Sequence, residues 1–379
     1  IVAGGGVHYS GATDTLRAFA EAHHIPVVET QAGKSALPWD HPLNLGPVGV
    51  TGGTPANQVC AQADLVLGIG TRFQDFTTGS WGLFANPARR IACLNVAAYD
   101  ATKHDALPLV ADARVGLEEL QAALAGHRAS WGIDGLKDDW FAQVDPLTKA
   151  PESGNALPTD MQVIGAVQRA ATADTVVMCA AGTMPGELHK LWKASRPMSY
   201  HMEYGFSCMG YEIAGAMGIK MAEPDRDVIC FTGDGTYMMA NSEMATAAMM
   251  GIAFTVVVTD NRGYGCINRL QMATGGAEFN NLLDHTLHVR ASAIDFAAHA
   301  ASMGATSVRA GSIAELEGAL AKRHGMQGPC VIVIDTDPYP STPHGGTWWD
   351  VGVPEVSERP AVTAARATYE IKKSTQRTN

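Results

Sequence analysis

The chain has 379 residues, enough for two or three domains that each bury a core of their own. Hydrophobic residues make up 46% of the sequence and charged residues 17%, proportions that are ordinary for a globular enzyme. The formal net charge of −11 argues against nucleic acid as the main partner, because the chain has no basic stripe to neutralise phosphates.

The cysteines and the apolar runs bear on the compartment. Seven cysteines show neither a C-x-x-C pair nor the Cys/His spacing of a zinc site. Their odd number, mostly within apolar strands, predicts free thiols in a reducing compartment. No apolar run approaches the roughly 20 residues that span a bilayer, and the first residues lack the basic start of a signal peptide. We therefore expect a cytoplasmic protein with no membrane partner.

Short apolar strands alternate with helical patterns over the first 120 residues. The predicted strands are residues 1–3, 26–29, 65–69, 91–95 and 109–110, and the predicted helices are residues 12–23, 55–63 and 114–125. Strand–helix alternation indicates βαβ units and a parallel sheet. Charged and turn-forming residues then dominate positions 126–160, which predicts a linker.

A second region of the same kind follows. Its predicted strands are residues 175–179, 228–232, 254–259 and 331–335, and its predicted helices are residues 160–171, 210–222, 242–250, 293–303 and 313–324. The predicted fold is therefore α/β, with two doubly wound parallel-sheet domains. We expect domains at 1–145 and 159–340, a linker at 146–158, and a polar tail at 341–379.

Two polar residues follow neighbouring predicted strands of this second region. Asp234 lies between Gly233 and Gly235 after one strand, and Asn261 follows the next strand. The stretch between them is long enough for a helix and a return strand, and a right-handed crossover brings the two strand ends together. Both side chains are therefore expected at the carboxyl edge of the sheet, where open α/β sheets bind ligands.

The chemistry of this pair suits Mg²⁺, which prefers oxygen ligands and is often shared between a carboxylate and substrate phosphates. Asp234 offers a carboxylate, Asn261 an amide oxygen, and a backbone carbonyl just beyond could add a third ligand. The flanking glycines let the backbone approach a diphosphate closely, and the helix that follows presents its N-terminus. Each turn alone is explained by an ordinary Asp-Gly or Asx turn, but their combination predicts a metal–diphosphate site.

This stretch resembles the cofactor-binding motif of thiamin diphosphate (ThDP)-dependent enzymes, with Asp260-Asn261 where two asparagines are common. The resemblance implies Mg²⁺ held by Asp234, Asn261 and the Gly263 carbonyl. The cofactor-binding residues that it implies in this second domain's metal motif are Gly233, Asp234, Gly235, Thr236, Asn261 and Gly263.

The same resemblance implies two upstream contacts with the cofactor. Met209 is the apolar wedge that bends ThDP, with the Ser207 carbonyl and the Met209 N–H facing the aminopyrimidine. The turn Ala181-Gly182-Thr183 also contacts the cofactor. The alternatives are core filling for Met209 and a plain strand-end turn for residues 181–183.

Two short stretches partly match motifs of other enzyme classes. Gly205-Phe206-Ser207 begins like a hydrolase nucleophile elbow, but Met209 stands where the second glycine belongs. Residues 4–6 are glycines followed by Glu29 at the next strand end, which imitates a dinucleotide fingerprint without its full G-x-G-x-x-G spacing. A nicotinamide-dependent dehydrogenase therefore stays an alternative, although packing explains the glycines better.

Six runs carry a narrower resemblance, to the trihydroxycyclohexane-1,2-dione hydrolase family of myo-inositol catabolism, within the acetolactate synthase-like ThDP enzymes. They are residues 28–36, 46–52, 71–81, 203–210, 261–268 and 345–351. This resemblance implies hydrolytic carbon–carbon cleavage of a cyclic polyol dione to 5-deoxyglucuronate. ThDP would supply the electron sink and the protein would supply orientation and electrostatics. An acetolactate synthase-like carboligase or decarboxylase is the alternative within the family.

The resemblance also concerns what lies outside the chain. Enzymes of this kind use a glutamate of an N-terminal pyrimidine-binding domain to activate the cofactor, and no glutamate of this chain matches that position. We therefore expect a fragment with half of an active site, completed at a subunit interface of a homo-oligomer, or an inactive piece. Candidate substrate contacts, for each of which a structural role is as good an explanation, are His201, Glu203, Asn268, Gln271 and His344.

Overall fold

A computed structural model describes residues 1–151, 156–182, 184–203, 205–290 and 293–376. The described residues form two six-stranded sheets in which every recorded pairing between strands is parallel. The predicted α/β class with two parallel-sheet domains is confirmed. None of the helices in these ranges is long and apolar enough to cross a bilayer.

The first sheet has the strand order β3-β2-β1-β4-β5-β6. Its strands are β1 (Val2–Ala3), β2 (Val27–Glu29), β3 (Asn44–Pro47), β4 (Leu65–Ile69), β5 (Arg90–Asn95) and β6 (Leu107–Val110). The helices of this region are α1 (Gly6–Tyr9), α2 (Thr13–His23), α3 (Thr54–Gln62), α4 (Asp75–Thr78), α5 (Ala98–Thr102) and α6 (Ala113–Ala123). A 3₁₀ turn covers Lys103–Asp105.

The turn-rich stretch at positions 126–160 contains a helix that the sequence analysis did not anticipate. This helix is α7 (Leu136–Val144), and a 3₁₀ turn (Asp145–Thr148) continues it. Trp140 and Val144 are buried on its inner face, so the segment packs as part of the protein despite its charged composition. The domain boundaries proposed above remain predictions.

The second sheet has the order β11-β12-β10-β9-β7-β8. Its strands are β7 (Thr175–Cys179), β8 (Tyr200–Met202), β9 (Asp227–Gly233), β10 (Thr255–Asp260), β11 (Thr306–Ala310) and β12 (Cys330–Asp335). The helices are α8 (Asp160–Ala170), α9 (Met184–Leu191), α10 (Tyr211–Ala222), α11 (Asp234–Met239), α12 (Glu243–Met250), α13 (Gly265–Ala273), α14 (Phe296–Ser302), α15 (Ile313–Lys322) and α16 (Pro360–Lys373). A 3₁₀ turn covers Leu283–His285.

Alternate residues of the central strands enter two different cores. Along β9, Ile229 and Phe231 belong to one buried cluster, whereas Val228 and Cys230 belong to the other. Side chains alternate between the faces of a strand, so the sheet is covered on both sides. This explains why its central strands are continuous apolar runs. Asp234 and Asn261 lie where β9 and β10 leave this double core.

After β12 the chain runs back across both regions as a strap (residues 336–350). The Thr342 amide donates to the Glu187 carboxylate of α9 at 3.0 Å. Farther along, Asn57 Nδ2 donates to the Gly345 carbonyl at 2.9 Å, and Trp349 Nε1 donates to Asp75 Oδ2 at 2.8 Å. The strap therefore connects the second sheet's helices to the first region.

Candidate functional site

The register of β9 and β10 brings the two predicted metal ligands to one place. Thr259 pairs with Gly233 in parallel register, so Asp234 and Asn261 both lie just past the same edge of the sheet. Gly233 is the last residue of β9, and Asp234 begins α11 without an intervening loop. The convergence expected from the crossover is therefore present.

The two turns also touch each other. A Cβ atom on Gly235 would lie 2.7 Å from Cε1 of Tyr264, so the Tyr264 ring covers the first turn. Gly263 has φ +149°, and a Cβ there would lie 2.3 Å from the Asn281 carbonyl oxygen. Only glycine fits this backbone and this contact, so the turn after β10 is held in one conformation against residue 281.

Both candidate ligands bury an oxygen that has no hydrogen-bond partner. Asp234 is 7% exposed and Asn261 6% exposed, and Oδ1 of each lacks a partner among the described residues. Orphaned buried polar atoms are uncommon and call for an explanation. A hard cation with oxygen ligands would satisfy both, so the residues fit Mg²⁺. The described residues hold no group of three His, Cys, Asp or Glu side chains arranged for a metal, and the candidate set relies instead on an amide and a carbonyl.

Burial dominates the electrostatics of Asp234. Desolvation, reinforced by the neighbouring Asp260 carboxylate, raises the pKa of Asp234 to about 7. The amides of Gly235 and Gly263 act in the opposite direction by favouring the charged form. A carboxylate that is costly to ionise alone gains most from a cation beside it.

The residues expected to face the diphosphate leave open space. Nothing lies within 4 Å of a Cβ built on Gly233 or on Gly182, in contrast to the crowded Gly235 and Gly263. Gly182 has φ +144° and is exposed, Ala181 is half-buried, and Thr236 is buried at the start of α11. Such a cradle of small residues suits the close approach of a diphosphate to the backbone. Thr183 lies outside the described residues.

The segment predicted to hold the aminopyrimidine lies between β8 and α10. Met209 is half-buried and belongs to none of the buried apolar clusters of the described chain. Ser207 is exposed and adopts the left-handed conformation with φ +53°. The amides of Ser207 and Met209 donate no hydrogen bond to any described residue. These features favour a ligand contact over core filling for Met209.

The five candidate substrate contacts differ in their surroundings. Asn268 is 1% exposed and donates to Glu278 Oε1 at 2.8 Å, and Gln271 accepts from Asn281, so both have structural partners. His344 is exposed. His201 and Glu203 line a cavity of about 690 Å³ that the carboxyl edge of the first sheet also borders.

The glycine turn of residues 4–6 packs tightly against β4. A Cβ on Gly4 would lie 2.4 Å from the Gly70 carbonyl oxygen, and a Cβ on Gly6 would lie 2.6 Å from Gly70 Cα. Glu29 is 2% exposed and accepts a hydrogen bond from the Leu37 amide at 3.2 Å. The glycines therefore have a packing reason, and Glu29 points into the interior.

Two family models match the chain in the order of its two sheets. Residues 1–120 match the model described as "Thiamine pyrophosphate enzyme, central domain", and residues 180–334 match "Thiamine pyrophosphate enzyme, C-terminal TPP binding domain". The chain belongs to the thiamin pyrophosphate enzymes. The second match spans Asp234 and Asn261, so the region built around them is the ThDP-binding domain of this family.

Curated relatives are similar over nearly the whole chain. Proteins of Halalkalibacterium halodurans and Bacillus subtilis are each 40% identical over 98% of the chain, and one of Geobacillus thermodenitrificans is 40% identical over 96%. All three are named 3D-(3,5/4)-trihydroxycyclohexane-1,2-dione hydrolase. The chain spans 62%, 62% and 61% of their respective lengths.

Three features of this thiamin pyrophosphate enzyme site escaped the sequence analysis. They are the Tyr264 ring over Gly235, the Glu203 carboxylate bound to the turn before Met209, and Glu212, which accepts from the Gly210 amide at 2.9 Å. The signal for the two glutamates was weak but present, since each lies a few residues from a glycine of the 205–210 turn. A glutamate close to a turn often accepts its free amides.

Proposed function

We propose that this chain carries the Mg²⁺- and diphosphate-binding half of a ThDP enzyme that hydrolytically opens 3D-3,5/4-trihydroxycyclohexane-1,2-dione to 5-deoxyglucuronate. The observation that carries the cofactor part is the pair of buried oxygens on Asp234 and Asn261 that have no partner in the described part of the chain. The names of relatives with 40% identity support the substrate and a place in inositol catabolism. Bound ThDP supplies a carbanion nucleophile and an electron sink.

The residues of the chain bind and orient this cofactor. Asp234, Asn261 and the Gly263 carbonyl would hold Mg²⁺, which would neutralise part of the negative charge of the diphosphate. The open sides of Gly233 and Gly182 leave room for its oxygens. The Met209 side chain and its free amide would define the position of the aminopyrimidine. The catalytic acid–base groups are not assigned to residues of this chain.

The cysteines and the family resemblance bear on the compartment and the assembly of the enzyme. Within the described residues every cysteine is free, and most are buried, as expected in a reducing compartment such as the cytoplasm. Family resemblance favours a homo-oligomer, a dimer or tetramer, with the active site at a subunit interface. The substrate is a small cyclic polyol dione, and neither nucleic acid nor membrane is proposed as a partner.

Substitution of Asp234 by alanine tests the metal assignment. Asp234→Ala should abolish Mg²⁺-dependent ThDP binding and leave stability without cofactor nearly unchanged, because Oδ1 of the lost carboxylate is buried without a partner among the described residues. Calorimetric titration of ThDP with and without Mg²⁺ measures the first effect, and chemical unfolding measures the second. Asp225→Ala, at an exposed aspartate, is the control. Equal ThDP affinity in parent and Asp234→Ala would contradict the assignment.

The substrate is tested separately. The chain, with Mg²⁺ and ThDP, is combined with a separately expressed N-terminal domain of a full-length relative and incubated with the trihydroxydione or with pyruvate, and the products are followed by NMR. Ring opening of the dione to an acid and an aldehyde is the expected result. Carboligation of pyruvate without ring opening would favour the acetolactate synthase-like alternative.

A further inference from the structure

The turn before Met209 directs alternate backbone amides at two carboxylates. The amides of Phe206 and Cys208 donate to the two oxygens of Glu203, at 3.1 and 2.6 Å. The Gly210 amide donates to Oε2 of Glu212 at 2.9 Å. The intervening amides, those of Ser207 and Met209, have no partner among the described residues. The turn is thus held through every second N–H.

The conformation of this turn is one that needs holding. Ser207 has φ +53°, a left-handed conformation that costs free energy for any residue with a Cβ. Residues 205–208 are exposed, so packing contributes little to fixing them. Two charge-assisted hydrogen bonds to one carboxylate are the main described interactions that oppose relaxation of the strained residue.

Both oxygens of the Glu203 carboxylate contribute to holding the turn. Both carboxylate oxygens of Glu203 accept a backbone amide, one from Phe206 and one from Cys208. These amides hold the pKa of Glu203 below its usual value although partial burial acts against them. A Cβ on Gly205 would lie 3.1 Å from Glu203 Oε1, so the backbone passes close to the carboxylate. The turn thus uses about two of the roughly four acceptor positions of this carboxylate.

We propose that Glu203 is a positioning residue that fastens the aminopyrimidine-binding turn and thereby aims the free Met209 amide and side chain at the cofactor. This inference rests on the proposed function, because it assigns a role towards bound ThDP. It departs from the earlier candidate role for Glu203, which was direct substrate contact.

The test separates the two ends of the cofactor. Glu203→Ala should bind Mg²⁺–ThDP at least about 10-fold more weakly, the scale of losing hydrogen bonds to a charged group. The same variant should bind Mg²⁺ with inorganic pyrophosphate within about twofold of the parent, because the metal site is intact. Glu203→Gln keeps one acceptor oxygen, so its affinity for Mg²⁺–ThDP should lie between those of the parent and Glu203→Ala. Glu118→Gln, at an exposed glutamate of α6 without a described partner, is the matched control.

Hydrogen exchange gives a readout that needs no cofactor. The amides of Phe206 and Cys208 should exchange faster in Glu203→Ala than in the parent, both without ThDP, while β9 and β10 keep their protection. If Glu203→Ala changes neither the ThDP affinity nor the amide exchange, this inference is refuted while the proposed function stands. Failure of the parent to bind Mg²⁺–ThDP would overturn the proposed function and this inference with it. Equal weakening towards ThDP and pyrophosphate would assign Glu203 a general structural role and also refute the inference.

Discussion

At the scale of single residues, the site combines crowded and empty positions that sequence alone does not distinguish. Gly233 and Gly263 are both glycines of the metal motif. Yet Gly233 has φ −81° with open space around it, whereas Gly263 has φ +149° and is pressed against residue 281. The first glycine is therefore free to serve a ligand, and the second is needed by the fold itself.

These two glycines should respond differently to alanine. Gly233→Ala should leave the free energy of unfolding without cofactor within about 0.5 kcal/mol of the parent, because the methyl group meets nothing. It should still weaken ThDP binding about 10-fold or more by filling the cradle. Gly263→Ala should destabilise the protein by about 1–3 kcal/mol. Urea unfolding and calorimetry measure both effects, and loss of stability in Gly233→Ala would count against an open cradle.

Met209 is the second residue whose role can be separated from stability. In an enzyme reconstituted with an N-terminal domain, Met209→Ala should reduce turnover more than it weakens ThDP binding, since the wedge shapes the cofactor and the diphosphate supplies much of the affinity. A core methionine would cost about 2–5 kcal/mol on truncation, but Met209 is only half-buried, so a smaller loss is expected. Met249→Ala, at a methionine 82% exposed, is the control. A large fall in melting temperature with normal turnover per folded molecule would instead favour core filling.

At the scale of elements, the central strands were predictable and the edge strands were not. The predicted strands at 65–69 and 175–179 agree with β4 and β7 to the residue. The strands without a prediction, β3, β8 and β11, are all outermost in their sheets, and the outermost β6 was predicted too short. None of the three unpredicted strands carries a continuous apolar run: β11 is largely exposed, and β3 and β8 are mostly buried but short and contain polar residues.

Helices with narrow buried stripes escaped prediction for a related reason. In α16 the buried side chains are Val362 and Tyr369, and the remaining surface is mostly polar. The polar composition therefore suggested a tail and did not indicate this helix. At the site, strand ends predicted Asp234 and Asn261 correctly as neighbours, because register follows from the sheet. The role of Glu203 could not be predicted, because it depends on a left-handed turn.

The strap offers a test at the same scale. Gly79 and Gly126 both have positive φ, of +53° and +83°. A Cβ on Gly79 would lie 2.3 Å from Thr347 Oγ1, whereas nothing lies near a Cβ on Gly126. Gly79→Ala should therefore cost about 1–3 kcal/mol more than Gly126→Ala in urea unfolding. It should also speed proteolysis of the strap, and equal costs for the two variants would indicate that the strap is not docked there.

At the scale of the whole molecule, buried polar contacts join the two sheets. Gln31, just beyond β2, accepts from the Tyr200 hydroxyl at 2.6 Å and donates to the Pro185 carbonyl at 3.2 Å. Thr51 and His189 lie 3.0 Å apart across the same boundary. Burial holds the pKa of His189 well below its usual value. Directional contacts of this kind orient the two regions more than they stabilise them.

The free energy of unfolding should depend on pH because of Glu212. This residue is 2% exposed, and desolvation raises the pKa of its carboxyl to about 7 from an ordinary value of 4.5. Between these pH values the folded state keeps a proton that the unfolded state has released, so stability falls as pH rises. Relative to Glu212→Gln, the parent should lose about 1–3 kcal/mol from pH 4.5 to pH 7. Urea unfolding across this range measures it, with Glu118→Gln as control, and parallel pH profiles for parent and Glu212→Gln would disprove it.

The strap also bears on the order in which the protein is made. The hydrogen bond from Asn57 to the Gly345 carbonyl can form only after Gly345, which lies 288 positions later, has been synthesised. Synthesis is vectorial and domains fold as they emerge, with the N-terminal one first. The first region therefore folds with its strap groove open, and the groove closes only after residues 336–350 have left the ribosome. Until that moment a chaperone has access to a surface around Gly52 and Gly79 that the finished protein covers.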